Sequence, residues 1–333
     1  MSFEGRLLKQ MIGIASPSGK ERQLNSFVRK QLETDGYSVK EDAIGNLFVN
    51  KPGAGKRIMF AAHMDQIGLM VTGVSEEGFI EFFNLGGLIP ASLVAQRVVS
   101  TSGIEGVINV FASSEGKGGL GLQDLYLDIG CVNREEAENR VSIGDAFVFK
   151  PHYYEDEGIV IAPGIDDKIG CFILLQLLKD MVETAYDVTF VFTVQEEVGT
   201  RGAATAAYAL EPDLAVSVDI TPAGDSPGIK NSNTAIGKGV AIKVMDPSMI
   251  APEYIVEQMK GAAEDGGIKY QLEVMKRGGT DSGAIHLVKS GIPSGVLSIP
   301  TRNAHTANEL ISKFDVGEAI RLLKHMLANG YFG

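Results

Sequence analysis

Five short stretches of this sequence gather histidine, aspartate and glutamate where an apolar run ends: Ala61-Ala62-His63-Met64-Asp65, Gly164-Ile165-Asp166-Asp167-Lys168, Gln195-Glu196-Glu197-Val198-Gly199, Ser217-Val218-Asp219 and Asn303-Ala304-His305-Thr306. Ligands of open α/β sheets sit at the carboxyl ends of strands, so catalytic groups belong at such places. Asp65 lies two residues beyond His63 and hence on the same side of an extended chain. Its carboxylate is placed to take a hydrogen bond from one ring nitrogen while the other nitrogen binds a metal. Asp166 and Asp167 follow Pro163-Gly164 and precede an apolar helix, whose N-terminal dipole favours negative charge. Glu196 and Glu197 follow the run VTFVFTV and point to opposite faces as chain neighbours, so one can ligate a metal while the other serves as a general base. Asp219 ends the apolar strand LAVSVD, where a lone carboxylate needs a partner. Singly, each stretch has an ordinary explanation: a satisfied core histidine, a helix cap or a polar loop.

Together they are harder to dismiss. A pocket lined by Asp166, Glu196, Glu197 and Asp219 concentrates carboxylates, and burying even one unpaired carboxylate costs several kcal/mol or forces protonation. Two divalent cations resolve the conflict. With Asp166 as a bridge, each cation takes one histidine, one terminal carboxylate and the shared one, and Glu196 is left to move protons. Nitrogen and oxygen donors without cysteine suit Zn²⁺, with Co²⁺ or Mn²⁺ as substitutes. Such a pair polarises a carbonyl and lowers the pKa of a shared water, while the glutamate passes the water's proton to a leaving amine. That chemistry is amide hydrolysis.

The rest of the chain must hold these stretches together. Its 333 residues carry 30 Lys plus Arg against 42 Asp plus Glu, a net charge of −12 that repels phosphate backbones and anionic lipids. Neither nucleic acid nor membrane is an expected partner. No run of about 18 uncharged apolar residues occurs, and the start MSFEGRLLKQMIGIA does not read as a signal peptide. Cys131 and Cys171 read as reduced thiols, and the expected location is cytoplasmic. Helical spacing of apolar residues covers 3–14 and 21–34, the second stretch with Ser18 as its cap. Between about 68 and 157, short β-rich pieces alternate with glycine turns, as in a small β-barrel or sandwich inserted into something else. Afterwards strands at 188–194, 214–219, 240–244, 271–275 and 295–299 alternate with helices at 169–183, 202–209, 252–264, 281–289 and 316–327. The predicted fold class is α/β: an α/β/α sandwich built from 1–67 and 158–333, interrupted by an inserted β-barrel domain over 68–157.

The sequence resembles the M42 family of metallo-aminopeptidases, which includes glutamyl aminopeptidase and the TET peptidases. AAHMDQIGLMV, GIDDKIG, QEEVGTRGA and GGTDSGA stand in that family's order and spacing across nearly the whole chain. The resemblance implies a zinc-peptidase sandwich that removes N-terminal residues from peptides through a water shared by two metal ions. It implies that His63, Asp166, Glu197, Asp219 and His305 are the ligands, with Asp166 bridging, His63 and Asp219 on one ion, and Glu197 and His305 on the other. Glu196 would be the general base and Asp65 the acid that orients His63. A cis peptide between Asp166 and Asp167 is also implied, as is self-association into dimers through the inserted domain and on into a hollow tetrahedral dodecamer. The chain departs from many relatives at Asn303-Ala304 and Thr306, where they carry an aromatic residue and a serine, and around Ser113 to Gly121, where the insert is short.

Two other readings use the same site. A related co-catalytic zinc carboxypeptidase or deacylase would, for the carboxypeptidase, need a basic clamp for a substrate carboxylate. A catalytically silent assembly protein would be expected to show a lesion in the ligand set, and none is present. A broad or acidic-to-neutral preference is expected, and a pocket for acidic N-terminal residues would draw on Arg302, Lys276 or Arg277. His152 and His325 read as solvent-facing, and His286 as a core or supporting residue.

Overall fold

The structure, a computed structural model, describes residues 3–116, 118–227 and 233–333, so Lys117 of the glycine-rich stretch lies outside the described residues. Four strands with nearly unbroken apolar runs form its centre: Asp187–Thr193, Arg57–His63, Leu214–Pro222 and Ser294–Arg302 lie side by side in that order, all parallel. Strands covered on both faces have no solvent side to make polar, which is why their sequences do not alternate. Leu47–Lys51 and Val39–Glu41 extend one edge, while Glu309–Ser312, Ile159–Ala162 and Tyr154–Glu155 extend the other. Val240–Asp246, Met249–Ile250 and Tyr270–Val274 branch from Ser294–Arg302 and complete a 12-stranded sheet.

Helices cover both faces. Ile165–Lys179, Glu253–Asp265 and Lys313–Asn329 bury the larger apolar cluster against one face, and Arg201–Leu210 with Asp281–Ile285 cover the other. The architecture is the expected α/β/α sandwich. Along Leu214–Pro222 the residues Val216, Val218 and Ile220 enter the larger cluster. The period of two therefore turns Ser217, Asp219 and Thr221 to the opposite face.

Between His63 and Tyr154 the chain leaves the sheet and closes a six-stranded barrel, from Gly68–Val74 to Ala146–Phe149. The barrel has its own core, including Val71, Ile80, Ile108, Leu127 and Phe147. Its last strand ends at Phe149, and Tyr154–Glu155 already pairs with Ile159–Ala162 in the large sheet, short of the expected boundary at 157. Among the described residues no helix is long and apolar enough to cross a membrane.

Two local expectations are corrected. The second helix, Arg22–Thr34, has no side-chain cap, because the Ser18 hydroxyl donates instead to the buried Asp65 carboxylate at 2.6 Å. An ionised acceptor is the stronger partner. The helix expected over 281–289 spans only Asp281–Ile285, and Lys289 takes a left-handed φ of 54° in the turn beyond it.

Candidate active site

The expected residues converge at the carboxyl ends of the central strands. His63 is the last residue of its strand, level with Thr193, and Glu196 and Glu197 lie in the turn just beyond. Asp219 lies near the end of Leu214–Pro222, and His305 sits in the turn after Ser294–Arg302 with φ 61°. Asp166 enters after Gly164, whose φ of 65° and close approach to Gln66 Nε2, 2.7 Å from any added Cβ, make a side chain there strained. The Asp166–Asp167 peptide is cis.

Asp166 stands between the two imidazoles: Oδ1 is 3.1 Å from His63 Nε2 and Oδ2 is 3.1 Å from His305 Nε2. Asp219 Oδ1 lies 3.9 Å from His63 Nε2, and Glu197 Oε1 lies 3.7 Å from His305 Nε2. Glu196 and Glu197 diverge, Glu196 Oε2 lying 3.9 Å from His63 Nε2 on the other side of the cluster. Both rings are aimed from behind by carbonyls: His63 Nδ1 contacts Asp65 O at 2.9 Å and His305 Nδ1 contacts Gly87 O at 2.7 Å. With Nδ1–H donating, each neutral ring turns the lone pair of Nε2 toward Asp166.

The role of Asp65 differs from the hydrogen bond expected of it. Its carboxylate is 3.6 Å from His63 Nδ1, too far for a hydrogen bond, and it is the backbone carbonyl that orients the ring. The carboxylate instead accepts the N–H groups of Glu196 at 2.9 Å and Glu197 at 3.2 Å, along with Ser18 Oγ. It fixes the turn that carries both glutamates. Asp167, next to Asp166 and like it non-helical within Ile165–Lys179, accepts the Gly170 N–H at 2.9 Å.

Two ligand groups result, His63–Asp166–Asp219 and Asp166–Glu197–His305, each with donor atoms within 4.8 Å of one another and Asp166 common to both. Donors on a tetrahedral zinc, at about 2.0–2.1 Å from the ion, stand roughly 3.4 Å apart. The 3.1–3.9 Å separations here bracket that spacing. Glu197 Oε1 is buried without any hydrogen-bond partner, as a metal ligand would be. The residues fit a pair of divalent cations.

Residues 45–322 match the family of M42 glutamyl aminopeptidases. The chain belongs to this family. A lysyl aminopeptidase of Pyrococcus furiosus is 30% identical, with 96% of each chain covered. An aminopeptidase from the archaeon Desulfurococcus kamchatkensis shares the fold with a TM-score of 0.93 at 33% identity, covering 97% of this chain and 94% of its own. The TET1 peptidase of Pyrococcus horikoshii, described as assembling into a tetrahedron or a large octahedral shell, gives 0.88 at 32% identity, covering 97% and 99%. This M42 protein is an aminopeptidase, a hydrolase of peptide bonds, and its family is metal-dependent.

The crowding of these groups in the M42 site shifts their proton affinities. Burial pushes Glu197 up to about 8, with Asp166 adding to it, and Asp219 to about 7 despite His63. Glu196 is raised well above its ordinary range, by burial first and then by Asp219 and Glu197 against the pull of His63. Burial disfavours a charged His305, yet Asp166 and Glu197 outweigh it and hold the ring protonated to about 11. Asp166 itself is driven well below the usual carboxylate range: burial opposes this, but both histidines overcome it.

Several neighbours escaped the sequence reading. Glu309 is buried against Asp166 and His305. Asp281 accepts Thr193 Oγ1 at 2.6 Å while its other oxygen has no partner. Lys168 is fully buried, contacts Ile14 O and Gln66, and is pushed down to about 7 by burial against the pull of Glu309. Asp281 and Lys168 lie inside the distinctive motifs and could have been singled out there. Glu309 had no such signal. Of the candidate cations, Arg302 is held by Asp225 in a two-pronged pair at 2.9 and 2.6 Å, and Lys276 and Arg277 are exposed. His152, His286 and His325 bond to Ala307 O, Ser282 O and Asp265, outside the ligand groups.

Proposed function

We propose that this aminopeptidase works with two divalent cations, zinc foremost, one on His63, Asp166 and Asp219 and the other on Asp166, Glu197 and His305, with Glu196 as its general base. The observation that carries the reading is the position of Asp166, each of whose oxygens lies 3.1 Å from a different imidazole. Bound there, such a pair supplies Lewis acidity toward the scissile carbonyl and toward water. Glu196 lies outside both ligand groups, 3.9 Å from His63 Nε2, and its raised pKa favours holding a proton there. It accepts the proton of the attacking water and returns it to the leaving amine. Asp65 keeps the two glutamates apart by holding their backbone N–H groups.

A free amino terminus is the natural partner of such a site. Carboxylates outnumber its cations: Lys243 is paired with Glu273, Lys168 is held by Ile14 O and Gln66, and Arg302, on the strand leading to His305, is already neutralised by Asp225. That arrangement favours a substrate ammonium over a substrate carboxylate, hence aminopeptidase over carboxypeptidase action on peptides. The working form in this reading is a cytoplasmic homo-oligomer, with dimers paired through the barrel and a tetrahedral dodecamer built from them, by analogy with the shell described for the Pyrococcus horikoshii peptidase. The test combines metal analysis with an anomalous-scattering map around His63 and His305, and kinetics on free and N-acetylated peptides. Two ions per chain and cleavage of free-amine peptides alone are expected. A single ion, or equal cleavage of acetylated peptides, refutes the proposal.

A further inference from the structure

Asp166 and His305 reach the site from distant parts of the sequence, yet one buried side chain touches both. Glu309, 1% exposed, opens the strand Glu309–Ser312. That strand is hydrogen-bonded on one side to Ile159–Ala162, with Ala162 opposite Glu309, and on the other to Ser294–Arg302. The first neighbour feeds Asp166 and the second feeds His305. Glu309 Oε2 accepts the backbone N–H of Asp166 at 3.1 Å, and Oε1 accepts that of His305 at 2.9 Å. Neither oxygen belongs to the ligand groups. The turn that presents His305 is also strained, Asn303 and His305 both holding left-handed φ values of 56° and 61°. Residues other than glycine adopt that conformation uncommonly, and the Glu309 carboxylate that accepts the His305 N–H helps to fix it.

We propose that Glu309 is a positioning residue that sets the spacing between the bridging Asp166 and His305 through their backbones, so that the second metal position is assembled before an ion arrives. The inference rests on the paired-metal reading above. A ligand set must be held to within roughly 0.5 Å to keep its affinity. Here that tolerance is set by one carboxylate bonded to two segments that share no other short-range connection in sequence.

The test is zinc affinity of the metal-stripped full chain, measured by competition with a chromophoric chelator, beside a thermal melt. Glu309→Gln keeps the shape but replaces one acceptor oxygen with an amide donor, which must then face one of the two N–H groups. Zinc affinity is expected to fall by roughly 10–100-fold, the usual effect of removing a residue that orients ligands. Asp315→Asn is the matched control: Asp315 is also a buried carboxylate accepting two backbone N–H groups, those of Gly237 at 2.6 Å and Gly239 at 2.7 Å, but it touches no ligand residue. It should lower the melting temperature and leave zinc affinity within about threefold, well short of the loss expected from a ligand-orienting residue. Should Glu309→Gln not fold, Glu309→Asp, too short to reach both N–H groups, gives the same reading. Unchanged zinc affinity in the Glu309 variant, or equal losses in the Glu309 and Asp315 variants, overturns the proposal. A wild-type chain that takes up fewer than two zinc ions overturns the paired-metal reading itself, a separate and recognisable failure.

Discussion

Replacing Asp65 by Asn isolates what holds the catalytic turn. The carboxylate is fully buried and accepts Ser18 Oγ at 2.6 Å, Glu196 N–H at 2.9 Å and Glu197 N–H at 3.2 Å. Asparagine has nearly the same shape but a single acceptor oxygen, and its amide group must confront one of those backbone donors. A hydrogen bond to a charged group contributes about 1.5–3 kcal/mol. If the loss falls on the placement of Glu196, then at about 1.4 kcal/mol per tenfold kcat/KM drops roughly 10–100-fold. The fall should lie in kcat, with KM changed little, because in the proposed mechanism Glu196 acts on the reacting water rather than on binding. The orientation of His63 should survive, since the ring is held by the backbone carbonyl of residue 65, which the substitution leaves in place. Ser18→Ala, which removes the hydroxyl and keeps both backbone contacts, should cost less than Asp65→Asn. Steady-state kinetics on an amino-acyl chromogenic substrate at saturating zinc, with a thermal melt of each variant, give the answer. If Asp65→Asn keeps kcat/KM within threefold of wild type, or Ser18→Ala is the more damaging change, the Asp65 carboxylate does not hold the turn.

Three further outcomes follow from the same geometry. Glu196→Gln should lower kcat by roughly 10²–10⁴-fold with the metal content of wild type, and loss of an ion on metal analysis would move Glu196 into the ligand set instead. Lys243 and Glu273 form a buried pair at 3.3 Å, 0% and 4% exposed, on the face of the sheet that carries Asp219. Removing one partner by Glu273→Ala should destabilise the fold by about 3–5 kcal/mol in chemical denaturation, and a change under about 1 kcal/mol would contradict it. Finally, the metal-free protein should lose stability as pH rises from about 6 to 8. Glu197, Asp219 and Glu309 keep their protons to about 8, 7 and 8, and His305 to about 11, all above their values in an unfolded chain. The folded form therefore binds more protons, and the stability they contribute is complete below the unfolded values and drains away as pH passes the folded ones. Lys168, lowered to about 7, acts in the opposite sense and is outnumbered. Melts of chelated protein across this range check the sign, a higher melting temperature at the alkaline end being the contrary result, and added zinc should narrow the difference.

Much of the framework is legible in composition alone. Runs such as VTFVFTV and LAVSVD announce strands buried on both faces, because such a strand has no solvent side on which to place polar residues. A carboxylate or imidazole at the end of such a run is conspicuous for the same reason, and this is how His63, Glu196, Glu197 and Asp219 stood out. The change in texture after Gly68 marks the barrel, whose short strands alternate with turns. Strands as short as Glu309–Ser312 and Ile159–Ala162 carry too few residues to show a period, so the part of the sheet that joins Asp166 to His305 went unread.

The sequence by itself thus determined which side chains are candidates for the chemistry and which segments must be buried, since both depend on residue type and local pattern. The tertiary structure alone decided which donor each acceptor meets: that the carbonyl of Asp65, not its carboxylate, aims His63, that Ser18 serves Asp65 rather than a helix, and that Glu309 joins two loops. A hydrogen bond forms only between groups brought to about 3 Å. Across such sequence separations that distance is set by strand order and register, which leave no periodic trace in the residues themselves.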